Sequence, residues 1–131
     1  GTIALKLFPE AAPATVTQFI HLAKAKYYDN KAFHRVVPNF VLQGGCSRGD
    51  GWSGFDVTIP SEFHASLKYQ SEGWVGMASA GKDTESAQFF ITHAPTIHLD
   101  GRYSIFAKVI EGFDVIHKIE VGDRINSVEI D

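Results

Sequence analysis

Cysteine, long apolar runs and blocks of like charge are what this sequence lacks, and each shortage removes a class of protein. Cys46 is the only cysteine, so no internal disulfide can form and the fold suits a reducing compartment equally well. No base can be assigned to it by spacing, so it reads as a small packing residue. No apolar stretch approaches the ~20 residues of a membrane span, and no signal-peptide pattern stands at the start. Twelve basic and fifteen acidic side chains give a formal charge of −3. Without a basic block to follow a phosphate backbone, nucleic acid and anionic membrane surfaces are not expected partners. The six histidines, His21, His34, His64, His93, His98 and His117, have neither H-x-x-x-H nor carboxylate-bracketed spacing, so no metal is expected. Ser-His-Asp hydrolysis lacks its G-x-S-x-G elbow.

What is present fits one domain. A chain of 131 residues can bury a core without staples, and the whole of 1–131 is read as a single unit. Thr2–Phe8 alternates Ile3, Leu5 and Leu7 against Ala4, Lys6 and Phe8, a half-buried strand. From Pro13 the period changes: Val16, Phe19, Ile20 and Ala23 form the stripe of an amphipathic lid helix running to about Lys26. Gly49–Gly54 spells G-x-G-x-x-G, but the strand-like Phe55–Ile59 follows it where a dinucleotide site needs a helix. Arg48-Gly49-Asp50 is too short to count as an integrin motif. Ser61–Ser71 reads as a polar, solvated excursion. Strand patterns return at Gly73–Ala78, Gln88–Thr92, Ser104–Ile110 and Ile125–Ile130, with a second short helix from about Gly112 to Glu120. Gly1 opens the sequence inside a strand pattern, so a processed or excised chain is expected. About eight strands and two helices without regular alternation predict a mainly β fold, a closed eight-stranded antiparallel barrel capped by two α-helices.

The stretch Phe33–Gly45 is where chemistry concentrates. Two apolar runs, Phe33–Val37 and Phe40–Leu42, are broken by Pro38-Asn39 and closed by Gly44-Gly45, which predicts two strands meeting at a bend. Strict alternation puts Phe33, Arg35 and Val37 on one face and His34 and Val36 on the other. A guanidinium would then share a face with large apolar neighbours, an uncommon place for a charge.

Phe33, His34, Arg35, Pro38, Phe40, Gln43, Gly44 and Gly45 closely resemble the F-H-R-x-x-P-x-F-x-x-Q-G-G signature of the cyclophilins, the peptidyl-prolyl cis/trans isomerases. Gly76–Gly81 resembles the family's Met-Ala-Asn-Ala-Gly run, with Ser79 replacing the usual asparagine. Ser86–Ile91 resembles its Ser-Gln-Phe-Phe-Ile segment, and Leu99–Phe106 its Leu-Asp-Gly-Lys-His segment. Leu7-Phe8-Pro9 through Phe19 and Gly112–Val115 fit as well, so the likeness covers essentially the whole chain, in a compact form that looks bacterial.

The resemblance implies an isomerase that assists protein folding by accelerating X-Pro rotation in peptides and unfolded chains; the alternative is a proline-peptide binding module without turnover. It implies Arg35 as the catalytic cation, Gln43 orienting it, and Phe40, Met77, Phe90 and Leu99 lining a proline pocket. Ala78, Ser79 and Gln88 would bind the substrate chain. His98 stands where the best-known eukaryotic members have tryptophan, which implies weak cyclosporin binding. Tyr103 replaces a histidine at the pocket rim, which bears on substrate preference. A monomer is expected, in the cytoplasm or alternatively the periplasm. No cofactor is needed, because the X-Pro barrier of ~18–20 kcal/mol comes from the nitrogen lone pair shared with the carbonyl. A donor that localises this pair lowers the barrier, and arginine cannot lose its proton at neutral pH.

Overall fold

Six short strands and two helices organise the residues that the computed structural model describes, 1–45, 60–64, 67–78 and 87–130. The strands are β1 (Ala4–Leu7), β2 (Phe33–Val37), β3 (Val41–Gly44), β4 (Trp74–Met77), β5 (Phe89–Thr92) and β6 (Ile105–Glu111), and the helices α1 (Pro13–Lys24) and α2 (Phe113–Ile116). They form one antiparallel sheet in the order β1-β6-β4-β5-β3-β2. Cys46, the glycine-rich motifs, the strand expected over 55–59 and Ser79 lie outside the described residues.

Register explains why the two faces of the sheet differ. Val36, Leu42, Ile91, Val75, Ala107 and Leu7 are paired in one row across all six strands, and every one packs into the same core. The α1 stripe closes over it. Val16, Phe19, Leu22 and Ala23 are buried, and the Phe19 ring lies 5.1 Å from Phe106 and 6.0 Å from Phe89, edge-on to the latter. Tyr28 is wholly buried beside them and donates to the Ala87 carbonyl at 2.9 Å. Burial, with Tyr27 alongside, pushes its phenol well above the ordinary tyrosine range.

Helix α1 begins at a proline, which costs no intrahelical bond there. No side chain at its N-cap residue, Ala12, satisfies the free amides. Glu62 does so from a distant segment, accepting from the Ala14 and Thr15 amides at 3.1 and 2.7 Å and from the Thr15 hydroxyl at 2.7 Å. The Glu62 amide in turn donates to Ser104 Oγ at 2.8 Å. The excursion over 61–71 therefore carries a helix cap, and it buries Tyr69 completely.

Among the described residues the expected closed eight-stranded barrel does not form: the sheet has six strands and stays open, with β1 and β2 at its edges. The expected closing strand Ile125–Ile130 does not form, and the one bridge nearby, Ala32 with Arg124, precedes it. Residues 122–125 still cover the outer edge of β2, through Phe33 to Asp123 at 2.8 Å and Asn30 to Ile125 at 2.6 Å. Beyond them Ile125, Val128 and Ile130 all pack on the core, a spacing that does not keep the two-residue parity of a strand. The second helix also ends early, at Ile116 instead of near Glu120. No helix among the described residues is long and apolar enough to cross a membrane.

Candidate active site

One irregularity decides which way Arg35 points. The β2–β3 register shifts between Phe33 and Arg35, leaving His34 as an extra residue. Such a bulge breaks the alternation of faces. Phe33 and Val36 consequently both pack in the α1-side core, while Arg35 is exposed. The expected shared face of Phe33 and Arg35 is thus corrected by the bulge. Arg35 instead joins a second cross-sheet row on the outer face, opposite Gln43, which lies opposite Phe90, which lies opposite Gly76.

A tight turn brings the next group in. Phe40 N–H donates to Val37 O at 3.0 Å, with Asn39 at φ 61°, a left-handed position that asparagine tolerates. The Phe40 carbonyl accepts from the His93 amide at 2.8 Å, tying the turn to the end of β5. The Arg35 guanidinium carbon then sits 5.7 Å from the Phe40 ring centroid, inside cation–π range. His98, in the 3-10 turn Ile97–Leu99, stacks on the same ring at 5.5 Å and 24°. Among the described residues no carboxylate pairs with Arg35.

The floor is apolar. Val41, Tyr69, Trp74, Phe90, Leu99 and Ile105 form a second buried cluster, with Phe40, Ala78 and Tyr103 packed on it. Phe90 meets Tyr103 edge-on at 5.6 Å and Tyr69 at 5.6 Å. Gly76 makes that packing fit, since a Cβ there would collide with the Tyr69 hydroxyl and the Phe90 ring. On the rim, Gln43 Nε2 donates to Gln88 Oε1 at 3.1 Å, and the Ala78 amide donates to the Gln88 carbonyl at 2.8 Å.

Arg35, Phe40, Gln43, Ala78, Gln88, Phe90, His98, Leu99 and Tyr103 therefore gather on or beside one face. Met77 does not. It pairs with Phe89 on β5, is fully buried and belongs to the α1-side core, because it shares parity with Val75 and not with Gly76. Val41 and Tyr69 were missed. Val41 precedes Gln43 by two positions and so shares its face, a signal the sequence did carry; Tyr69 lies in irregular backbone, where no period points to it. Among the described residues no three His, Cys, Asp or Glu side chains gather where they could share a metal ion.

Fold and face define an antiparallel sheet protein whose outer face holds a permanent cation beside a cluster of aromatic side chains. A family model described as cyclophilin type peptidyl-prolyl cis-trans isomerase/CLD matches residues 1–130, and the chain belongs to that family of isomerases. Peptidyl-prolyl cis-trans isomerase B of Bacillus subtilis is 43% identical over 98% of the chain and 90% of its own length. Peptidyl-prolyl cis-trans isomerase cyp15 of Rhizopus delemar is 45% identical over 92% of the chain, which spans only 20% of that longer protein. A crystal structure of a cyclophilin type isomerase from Cryptosporidium parvum, determined in the presence of the dipeptide Ala-Pro, superposes with a TM-score of 0.86 at 31% identity, covering 96% of this chain and 87% of that one.

Proposed function

We propose that the outer face turns over X-Pro bonds in peptides and unfolded chains, with Arg35 as the catalytic cation. The observation that carries this reading is the guanidinium carbon 5.7 Å from the Phe40 centroid, in one cross-strand row with Gln43 and Phe90. A prolyl ring seated on Phe90 and Leu99, against Phe40, would bring its nitrogen within reach of that donor. As the bond twists, the lone pair leaves the carbonyl and becomes available to the guanidinium N–H. The ground-state amide offers no such lone pair, so the contact forms only in the transition state and lowers the barrier instead of merely tightening binding. A reduction of about 7 kcal/mol corresponds to ~10⁵-fold.

Gln43 stands next to Arg35 across the ladder, and its amide is anchored by Gln88. That pairing limits the conformers open to both side chains. Ala78, Gln88 and the adjacent Ser79 would hold the backbone of the bound chain, and the domain would act as a monomer. His98 offers no indole donor, so cyclosporin binding is weak. An inhibition titration checks this, and nanomolar inhibition would contradict it.

A protease-coupled assay on an Ala-Pro peptide tests the reading. Wild type accelerates the slow phase, and Arg35→Ala loses ~10²–10³ in kcat/KM, as removal of one preorganised donor does elsewhere. A wild type no faster than buffer would instead indicate a module that captures proline segments without turnover.

A further inference from the structure

Tyr103 belongs to two surfaces. Its ring edge meets Phe90 at 5.6 Å, and it also walls a second hollow of about 310 Å³ shared with Phe63, His64, Leu67, Lys68, Tyr69 and Gly101. The two are continuous through Tyr69, which packs on Phe90 and donates its hydroxyl to the Tyr103 carbonyl at 3.1 Å. The lining of this second hollow mixes apolar side chains, Phe63 and Leu67 among them, with His64 and the cation Lys68. Phe63 is 45% exposed beside it, and Lys68 is exposed.

Among the described residues no carboxylate pairs with Lys68. The carboxylates on the neighbouring segments are already engaged: Glu62 caps α1, and Asp100 accepts from the Tyr69 amide at 2.6 Å. An occupant of this hollow therefore meets an apolar wall suited to a short aliphatic stem and an ammonium suited to a carboxylate. We propose that it receives a glutamate or aspartate side chain of the bound chain, close to the isomerising proline. Phe90 and Tyr103 centroids are 5.6 Å apart, so a group lodged beyond Tyr103 is about 8–10 Å from the ring seat, on the order of two to three residues of extended chain. The inference rests on the reading of the Arg35–Phe90 face as the prolyl site and adds to it a preference for acidic flanks.

The test is a protease-free exchange assay on alanine peptides with one central Ala-Pro bond. Glutamate, glutamine or lysine is placed in turn at each of the three positions on either side. At one position wild type turns over the glutamate peptide ~2–5-fold faster in kcat/KM than the glutamine peptide, as expected of an exposed ion pair, and the lysine peptide more slowly. Raising the ionic strength narrows the gap. Lys68→Gln flattens the ranking and Lys68→Glu reverses it, whereas Lys118→Glu, a charge change beyond α2, leaves it in place. Equal rates for glutamate and glutamine in wild type, a ranking that survives Lys68→Glu, or the same loss from Lys118→Glu would each overturn the proposal. Turnover of the all-alanine peptide reports on the prolyl site alone. Its absence in wild type sinks the functional reading, while its persistence with a flat ranking sinks only the acidic subsite.

Discussion

Arg35 and Gly76 do opposite things on the same outer face, one supplying charge and the other room for the Tyr69 and Phe90 side chains. Gly76 lies in a row with Phe90 and Gln43, and the space above it is filled by the rings of Tyr69 and Phe90. Gly76→Ala inserts a methyl into that packing. It should lower stability by ~1–3 kcal/mol and slow isomerisation by displacing Phe90, as thermal unfolding and peptide turnover will report. An unchanged melting temperature together with unchanged turnover would count against this account of the floor. At this scale the sequence was legible wherever parity held. Gln43 and Phe90 share the outer face with Gly76, Arg35 reaches it only through the bulge at His34, and Met77, which the resemblance puts in the pocket, lies on the opposite face. Alternation alone would have exchanged Met77 for Val41, which the structure places in the floor.

At the scale of elements, the β2–β3 hairpin and the α1 cap show what a one-dimensional pattern can and cannot reveal. Pro38-Asn39 announced the turn, because proline presets its first dihedral and asparagine accepts the left-handed second. The bulge at His34 had no such herald, and it is what separates Arg35 from Phe33. The start of α1 was similarly visible in Pro13, whereas its cap was hidden: Glu62 lies 47 residues beyond Thr15 in sequence and within a stretch read as solvated. Carboxylate acceptors at a helix N-terminus serve both the free amides and the helix dipole. Glu62→Ala is expected to cost ~1–2 kcal/mol in urea denaturation, with Glu62→Gln recovering part of it. A loss below the error of the measurement in both variants would remove the cap from the stability account. The C-terminal segment failed as a strand for a different reason: apolar residues at 125, 128 and 130 suit a chain draped over a core, not a ladder.

At the scale of the whole molecule, one sheet has two differently employed faces. The α1-side face is packed with a six-residue apolar row, and the outer face carries a second, smaller cluster in which Tyr69, Trp74 and Phe90 are buried. Tyr28 is a titratable reporter of the α1 side. Its phenol is held neutral by burial and bonded to Ala87. The folded-state pKa is raised above the unfolded one, so the associated stability is fully present below pH ~10 and is lost as the unfolded phenol ionises above it. Urea unfolding across the alkaline range should show a slope that Tyr28→Phe largely removes. A Tyr28→Phe slope equal to that of wild type would contradict this assignment.

The mainly β class and the isomerase family were readable because the strand patterns and the F-H-R-x-x-P-x-F-x-x-Q-G-G motif are local in sequence. Barrel closure was not, because it depends on whether distant edges meet, which no local period encodes. The central claim is that Arg35 acts on the twisting bond and not on the affinity for the chain. Exchange between cis and trans forms of an Ala-Pro peptide, measured by NMR at saturating enzyme alongside the peptide Kd, separates the two. For Arg35→Ala the account predicts on-enzyme exchange slowed ~10²-fold or more with Kd changed far less. Exchange at the wild-type rate with the whole loss carried by Kd would contradict it.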